Sequence, residues 1–134
     1  MAQDLGLDHS STTAFTITIN SVADAGSAEA TSIDFGTPGP LALGIHAVLD
    51  GTAGGTSIVI WKMLWSEDNS AFPDATNARI IGTTTLNEAT ALDDVFTVPV
   101  EARYGKLRFE NESGASMETT GNSVEYWEIW GNQV

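Results

Sequence analysis

The chain has 134 residues, no cysteine, and 18 acidic against 5 basic side chains, giving a formal net charge of −13. Its length suits one domain, and a hydrophobic fraction of 42% is enough for one sizeable core. The lack of cysteine excludes disulfides, thiolate zinc sites and cysteine nucleophiles. The acidic excess argues against binding nucleic acid or an anionic membrane, because both attract Lys and Arg. The charge instead favours solubility, life in a salty medium, or docking on a basic partner.

The N-terminal residues 1–13 are polar and show no periodicity, which predicts a flexible arm. They have no basic segment followed by an apolar one, so we expect no signal peptide. No apolar run along the chain is long enough to span a bilayer. Residues 14–134 are then expected to form a single β-sandwich domain. Residues 21–40 are small and loop-like, and either segment could extend across a neighbouring subunit.

Alternation of apolar and polar residues is the dominant pattern of the chain. In residues 14–20, Phe15, Ile17 and Ile19 would share one face of a strand, while the intervening polar residues share the other. Comparable short runs, bounded by turn residues, recur at near-even spacing. The predicted strands are 14–20, 41–51, 56–65, 78–86, 95–100, 106–111 and 123–131, with 30–36 as a weaker candidate.

Helix signals are poor in comparison. Residues 87–94 could form one turn or a short helix, with Asn87 as its cap. The rest of the chain is rich in Thr, Gly, Ser and β-branched residues, which favour sheets and turns. About seven or eight short strands with turns between them predict an all-β fold, namely an antiparallel β-sandwich of jelly-roll type.

The loop from Trp65 to Asn77, WSEDNSAFPDATN, concentrates acids, amides and hydroxyls between two apolar runs. Its oxygen atoms suit Ca²⁺, but their spacing does not match a calcium-binding loop and no bidentate Glu closes it. We interpret the loop as a strand connection in which Phe72 packs back on the sheet edge and Pro73 stiffens the return. No metal or other cofactor is therefore expected.

Catalytic residues are not predicted anywhere in the sequence. His46 lies inside an apolar strand, and the chain contains no G-x-S-x-G nucleophile motif. Glu125 and Glu128 resemble a carboxylate pair, but alternation places them on opposite faces of their strand. We therefore interpret His46 as a structural histidine and expect a protein that is not an enzyme.

Aromatic residues are abundant in the candidate strands and indicate an interaction surface. Trp127 and Trp130 fall on opposite faces, so at least one is expected to be exposed or covered by a partner. The candidate interface residues are Trp65, Phe72, Trp127 and Trp130.

Residues 101–131 combine Ala-Arg-Tyr, an apolar strand, a polar Asn/Ser/Gly turn and a closing strand. This order resembles the C-terminal part of galactose-binding-like jelly rolls. The upstream LWSEDNSAFPD is similar to a loop of small β-sandwich proteins in tailed-bacteriophage particles, among the virion structural and head decoration (cement) proteins. The resemblance implies a β-sandwich with a virion role and transfers no catalytic residue. Within it, Arg103 is expected to pair with Glu101 or Asp94.

Taken together, these features predict a capsid decoration protein that stabilises the shell of a tailed phage. Its expected partners are the major capsid protein and other copies of itself, as a homo-oligomer such as a trimer. Its expected location is the capsid surface, after synthesis in the host cytoplasm. Two alternatives stay open: a tail or fibre adaptor of the same virion, and a carbohydrate-binding module. The module would use Asp68, Asn69 and Asn111 to bind sugar hydroxyls beside an exposed aromatic ring.

Overall fold

A computed structural model of the chain describes residues 7–50, 57–86 and 91–131. These residues form ten strands and one short 3₁₀ turn, Ala75–Asn77. None of them belongs to a helix long and apolar enough to cross a bilayer. The strands are β1 Leu7–His9, β2 Thr13–Ala14, β3 Ser27–Glu29, β4 Ile33–Asp34, β5 Ala42–Leu49, β6 Ile58–Ser66, β7 Ile80–Thr85, β8 Leu92–Pro99, β9 Tyr104–Glu112 and β10 Ser123–Gly131.

Two antiparallel sheets of five strands each make up the sandwich. In sheet A the order is β1-β10-β5-β8, with β2 also paired to β10. In sheet B the order is β3-β9-β6-β7, with β4 also paired to β9. Two short strands therefore lie along one long strand at the same side of each sheet, and β8 and β7 form the opposite edges. The predicted antiparallel β-sandwich is confirmed, with more strands than expected because these short edge strands carry little pattern.

The core lies between the inward faces of the long strands. Alternation decides which side chains enter it, because successive residues of a strand point to opposite faces. Along β5, Leu43, Ile45, Ala47 and Leu49 are fully buried, while the residues between them face outward. Sheet B contributes the two largest fully buried side chains, Trp61 and Phe109, whose ring centroids are 5.1 Å apart.

A buried chain of hydrogen bonds links the two sheets where β7 and β8 approach each other. The Trp61 Nε1–H donates to Thr84 Oγ1 at 3.0 Å, and the Thr84 hydroxyl donates to Asp94 Oδ2 at 2.6 Å. Trp61 and Thr84 belong to sheet B, and Asp94 belongs to sheet A. These two hydrogen bonds give the Trp61 indole N–H an acceptor; without one, it would be an unpaired donor inside the core, which costs free energy.

The predicted strand 14–20 keeps its alternation but is mostly not a strand. Phe15 and Ile19 are buried and Thr16 and Thr18 are exposed, as expected. Only Thr13–Ala14 is a paired strand, however, and residues 15–19 belong to no strand. The period of two reflects burial of one face, which does not require a ladder of backbone hydrogen bonds on either side.

The segment expected to be a flexible arm belongs to sheet A from Leu7 onward. β1 and β2 both pair antiparallel with β10 of the same chain. In addition, the Ser10 N–H donates to the Glu128 carbonyl at 2.9 Å. Residues 1–6 lie outside the described residues.

The suggested short helix at 87–94 is wrong over its second half. Residues 92–94 begin β8 and pair with β5, where Asp94 lies opposite Ala47. The first half, with the proposed Asn87 cap, lies outside the described residues. The sequence pattern of a helix cap depends only on neighbouring residues. The pairing of β8 with β5, which is distant in sequence, decides the structure of residues 92–94 instead.

Candidate docking surface

The outer face of sheet A is a regular grid of side chains from three long strands. The register places Glu125, His46 and Val95 in one row across β10, β5 and β8, and Trp127, Gly44 and Thr97 in the next. Val95 is 59% exposed and contributes apolar area to this face. We call this grid the sheet A outer face; its members are Ser123, Glu125, Trp127 and Ile129 of β10, Ala42, Gly44, His46 and Val48 of β5, and Asp93, Val95, Thr97 and Pro99 of β8.

Trp127 covers Gly44 in the middle of this face. A Cβ built on Gly44 would lie 1.9 Å from Cε2, 2.0 Å from Cζ2 and 2.6 Å from Cδ2 of the indole. Because Cε2 and Cδ2 form the fused bond inside the ring system, the ring face, and not its edge, must lie over the glycine. Trp127 is half-buried by this contact. Gly44 covers one side of the indole, so the part of Trp127 that stays exposed belongs to the rest of the ring, which we call the Trp127 platform.

His46 stands next to the platform between two carboxylates. Its Nδ1 lies 3.1 Å from Glu125 Oε1, and its Nε2 lies 3.4 Å from Asp93 Oδ1. The hydrogen bond to Glu125, with the help of Asp93, raises the pKa of His46 above its ordinary value of 6.5, although partial burial acts in the opposite direction. Both ring nitrogens are engaged by acids, so neither is available to act as a general base towards a substrate. The cluster therefore has the form of a structural ion pair.

Charges are segregated between the two sheets. The strands of sheet A contain five acidic residues, Asp8, Asp93, Asp94, Glu125 and Glu128, and no Lys or Arg. All five Lys and Arg side chains lie on or beside strands of sheet B, and each is paired with an acid of this chain. The pairs are Lys62–Glu110, Arg79–Glu101, Arg103–Asp34, Lys106–Glu29, and Arg108 with both Glu29 and Glu110.

Arg103 is paired structurally, as expected, but with a different acid. Its Nε and one terminal nitrogen donate to the two oxygens of Asp34, both at 3.0 Å. This hydrogen bonding lowers the pKa of Asp34. The guanidinium also lies over the Tyr104 ring, 5.1 Å from its centroid. The two acids expected to pair with Arg103 have other partners: Glu101 pairs with Arg79, and Asp94 accepts a hydrogen bond from the Thr84 hydroxyl.

The outer face of sheet B is covered by the loop that follows β6. Lys62 donates to the Ala75 carbonyl at 3.0 Å, and the Lys106 ammonium lies 4.1 Å from the centre of the Phe72 ring. Phe72 therefore packs against an outward-facing residue of β9, and not on the sheet edge. This covering leaves sheet A with the more open of the two faces.

The loop residues proposed as sugar ligands are largely occupied by the chain itself. Asp68 Oδ1 accepts from the Ser70 and Ala71 backbone N–H groups, both at 2.9 Å, and these bonds lower the pKa of Asp68. Asn69 has a positive φ of 59°, and its Oδ1 accepts from the Ser32 hydroxyl at 2.6 Å. Both residues are exposed and lie in one turn.

Asn111 lies apart from that turn and is 0% exposed. Its amide donates to the Val22 and Ala115 carbonyls, and its oxygen accepts from Ser113. A ligand cannot reach this side chain. The expectation that Asn111 binds a sugar is therefore corrected: the residue holds the 22–26 segment and the 113–115 turn in place.

The remaining interface candidates occupy different places. Trp65 packs on Phe35, with ring centroids 5.9 Å apart, and lines an open cleft of about 370 Å³ with Met63 and Ile81. Trp130 is half-buried, and its Nε1–H donates to Glu128 Oε2 at 3.1 Å. The four candidates thus do not form one surface, and Trp127 alone belongs to the sheet A outer face.

Sequence reasoning did not single out Gly44 as part of this surface. A glycine inside a strand pattern often marks close approach of another group, so the sequence did contain a signal for Gly44.

The structure shows no cluster of metal ligands among the residues it describes. Within residues 7–50, 57–86 and 91–131, no three His, Asp or Glu side chains are grouped so that they could hold a metal ion.

Comparisons with known proteins support the architecture. No protein-family model and no curated protein sequence matches the chain. Among solved structures, a chain of infectious bursal disease virus, Gx strain, is similar with a TM-score of 0.55 at 12% identity, over 95% of this chain and 33% of that one. The present chain therefore spans about a third of that viral chain.

Two carbohydrate-binding modules are also similar. A family 35 module from an environmental isolate has a TM-score of 0.49 at 10% identity, over 88% of this chain and 77% of that one. A CBM4 module has a TM-score of 0.42 at 17% identity, over 84% and 68%. Both TM-scores are below 0.5, so the fold of this chain, a jelly-roll-like antiparallel β-sandwich, rests on its own sheet topology and on the likeness to the viral chain.

Proposed function

We propose that this chain is a non-enzymatic structural protein of a virus particle, a capsid decoration protein that binds and stabilises the shell of a tailed phage. The observation that carries the proposal is the segregation of charge. Every Lys and Arg is paired with an acid of its own chain on or beside sheet B, whereas the strands of sheet A carry five acids, two of them bonded to His46, and no Lys or Arg. A surface of this kind is complementary to a basic patch on a partner.

The sheet A outer face is the part of the molecule we assign to the shell. It combines exposed apolar area at Val95 with Trp127 and with the carboxylates of Glu125 and Asp93. Apolar centre and charged surroundings are the usual composition of a protein interface. A standard interface buries roughly 1,600 Å² and supplies tight binding without chemistry. Repetition around a symmetric shell, and assembly of the protein into a trimer, would add avidity.

Binding to undecorated shells of the parent virus tests this function. Purified protein is mixed with shells, the shells are sedimented, and bound protein and the temperature of shell disruption are measured. We expect co-sedimentation at low salt, a rise in the disruption temperature, and weaker binding as salt screens the acidic face. Shells that gain neither bound protein nor heat resistance would refute the decoration role.

A charge-matched pair of variants makes the test specific for sheet A. Glu125→Gln with Asp93→Asn removes two acids from the proposed face. Glu67→Gln with Glu112→Gln removes two exposed acids from the loop after β6 and from the end of β9. The first pair should weaken shell binding and the second should not. Equal loss in both would mean that net charge, and not this face, controls binding.

A carbohydrate-binding module is the second candidate, favoured by the indole of Trp127 lying flat over Gly44. A flat, partly exposed ring beside carboxylates is able to stack on a pyranose and accept hydrogen bonds from its hydroxyls. Pull-down on insoluble polysaccharides tests this candidate. Retention that disappears in Trp127→Ala would favour it over shell binding, and no retention on any glycan would remove it.

A further inference from the structure

The Trp127 platform has a carboxylate on the same strand beside it. Glu125 precedes Trp127 by two residues on β10, so both side chains stand on the sheet A outer face. On β5, His46 lies opposite Glu125, and on β8 Asp93 lies opposite Val48, one row farther from Trp127. The imidazole of His46 is 3.1 Å from Glu125 and 3.4 Å from Asp93. An aromatic face with carboxylates at one side matches a cation that is flat and donates several hydrogen bonds.

The chain itself contains the same arrangement in completed form. On sheet B, Arg103 lies over the Tyr104 ring and donates to both oxygens of Asp34. A guanidinium there stacks on a ring and pairs with a carboxylate at the same time, which only Arg does well among the cationic side chains. On sheet A, Trp127 and Glu125 offer the ring and the acid; His46 Nδ1 already engages Oε1 of Glu125, but no Lys or Arg of that sheet's strands binds the carboxylate as Arg103 binds Asp34.

We propose that Trp127 over Gly44, with Glu125, forms a seat for an arginine side chain of the protein partner. This proposal rests on the proposed function and names the chemistry by which the partner is recognised. The guanidinium would stack on the outward side of the indole and donate to Glu125, while Asp93 adds longer-range attraction. Trp is the best aromatic residue for such a cation–π contact. The surplus of acid on sheet A is complementary to a partner segment rich in arginine.

A heteronuclear NMR titration tests the seat directly. The probe is a short capped Gly/Ser peptide containing one arginine, and the comparison probe has citrulline at that position, which keeps the shape and removes the charge. The four tryptophans give four indole N–H signals, and Trp127→Phe assigns one of them. We expect the Trp127 signal to shift with the arginine peptide, and to shift much less with citrulline.

Two variants and one control define the residues involved. Trp127→Ala should weaken binding of the arginine peptide roughly 2- to 30-fold, and Glu125→Gln should weaken it and reduce its salt dependence. Glu112→Gln on sheet B should bind as the wild type does. Three results would each overturn the proposal. The Trp127 signal could shift equally with the arginine and citrulline peptides, only another tryptophan could shift, or Glu125→Gln could bind the arginine peptide as tightly as wild type.

Shell binding separates failure of the seat from failure of the function. If wild-type protein and Trp127→Ala bind shells equally well, the decoration role stands and the arginine seat is wrong. If the arginine peptide shifts Trp127 but shells bind no protein, the seat stands and the decoration role is wrong. A Trp127 signal that responds to methyl glycosides and not to the arginine peptide would overturn the seat in favour of a sugar platform.

Discussion

The indole of Trp127 fills the space in which a side chain at Gly44 would lie: a Cβ there would meet the ring at 1.9 Å. The two residues lie directly opposite each other in the β10–β5 pairing. Glycine at position 44 is therefore required by the tryptophan, and the platform exists only because position 44 has no side chain.

Gly44→Ala is expected to destabilise the protein by about 1–3 kcal/mol, because the methyl group forces the indole off the sheet. Urea denaturation measures the change. In a Trp127→Ala background the same substitution should cost little, since no ring remains to be displaced and alanine is favoured over glycine inside a strand. An equal cost in both backgrounds would show that the contact does not limit position 44.

Thr84 is expected to be the most sensitive polar residue of β7. Thr84→Val keeps the shape but leaves the Trp61 indole N–H without its acceptor and Asp94 without its donor. The free energy of unfolding should fall by about 1–3 kcal/mol.

The neighbouring threonines provide matched controls for this prediction. Thr83 and Thr85 are exposed on the same strand, and their substitution by Val should change stability by no more than about 0.5 kcal/mol. If all three variants unfold at the same urea concentration, the hydrogen-bond chain contributes nothing.

The architecture was predictable from the sequence because alternation records which face of each strand is buried. β5, β6, β9 and β10 lie within a few residues of their predicted bounds. The same signal overestimated the strand at 14–20, where burial of Phe15 and Ile19 mimics a paired strand. The short strands β3 and β4 escaped clear prediction because two or three residues cannot show a period.

The candidate surface was much less predictable, because it depends on the register between distant strands. His46 meets Glu125 across 79 residues of sequence. Alternation correctly placed Glu125 and Trp127 on one face, but it could not say that the facing position on β5 is a glycine. Composition revealed the acidic excess but not that all five cations are used on one sheet. Asn111 looked like a ligand because amides in turns often are, whereas its burial depends on tertiary packing.

The ion pairs on the outer face of sheet B should stabilise the protein more than ordinary surface pairs. Lys62 and Glu110 are 3.2 Å apart, and their side chains are only 11% and 16% exposed. Burial raises the pKa of Glu110, but hydrogen bonds from Arg108 and Lys62 outweigh it and leave the pKa below its ordinary value of 4.5. Glu110→Gln leaves Lys62 buried without its acid and should cost about 2–3 kcal/mol at neutral pH.

The pH dependence gives this prediction a second readout. A carboxyl with a lowered pKa stabilises the fold above its unfolded value and loses that contribution as the pH falls through its folded value. Wild type should therefore lose stability below pH 4.5 more steeply than Glu110→Gln does. Glu112→Gln, an exposed change on the same strand, should follow wild type. If Glu110→Gln loses stability below pH 4.5 as steeply as wild type does, Glu110 is not the group responsible for this pH dependence.

His46 should make the stability of sheet A depend on pH in the opposite direction. A histidine with a raised pKa contributes fully below its unfolded value of 6.5 and loses the contribution as the pH rises through its folded value. The His46–Glu125 and His46–Asp93 pairs are both partly exposed, so each is expected to contribute about 0.2–1 kcal/mol to the free energy of unfolding. Wild type should exceed His46→Gln in stability below pH 6.5, and the difference should shrink at higher pH.

Urea midpoints of both proteins, measured at pH values on either side of 6.5, test this expectation. His9→Gln is the matched control, because His9 is exposed on β1 and its Nδ1 contacts the Ser10 carbonyl. The control should retain the pH profile of wild type. A difference between wild type and His46→Gln that stays constant across this range would mean that the imidazole stabilises sheet A by packing, with Glu125 and Asp93 contributing no charge pairing.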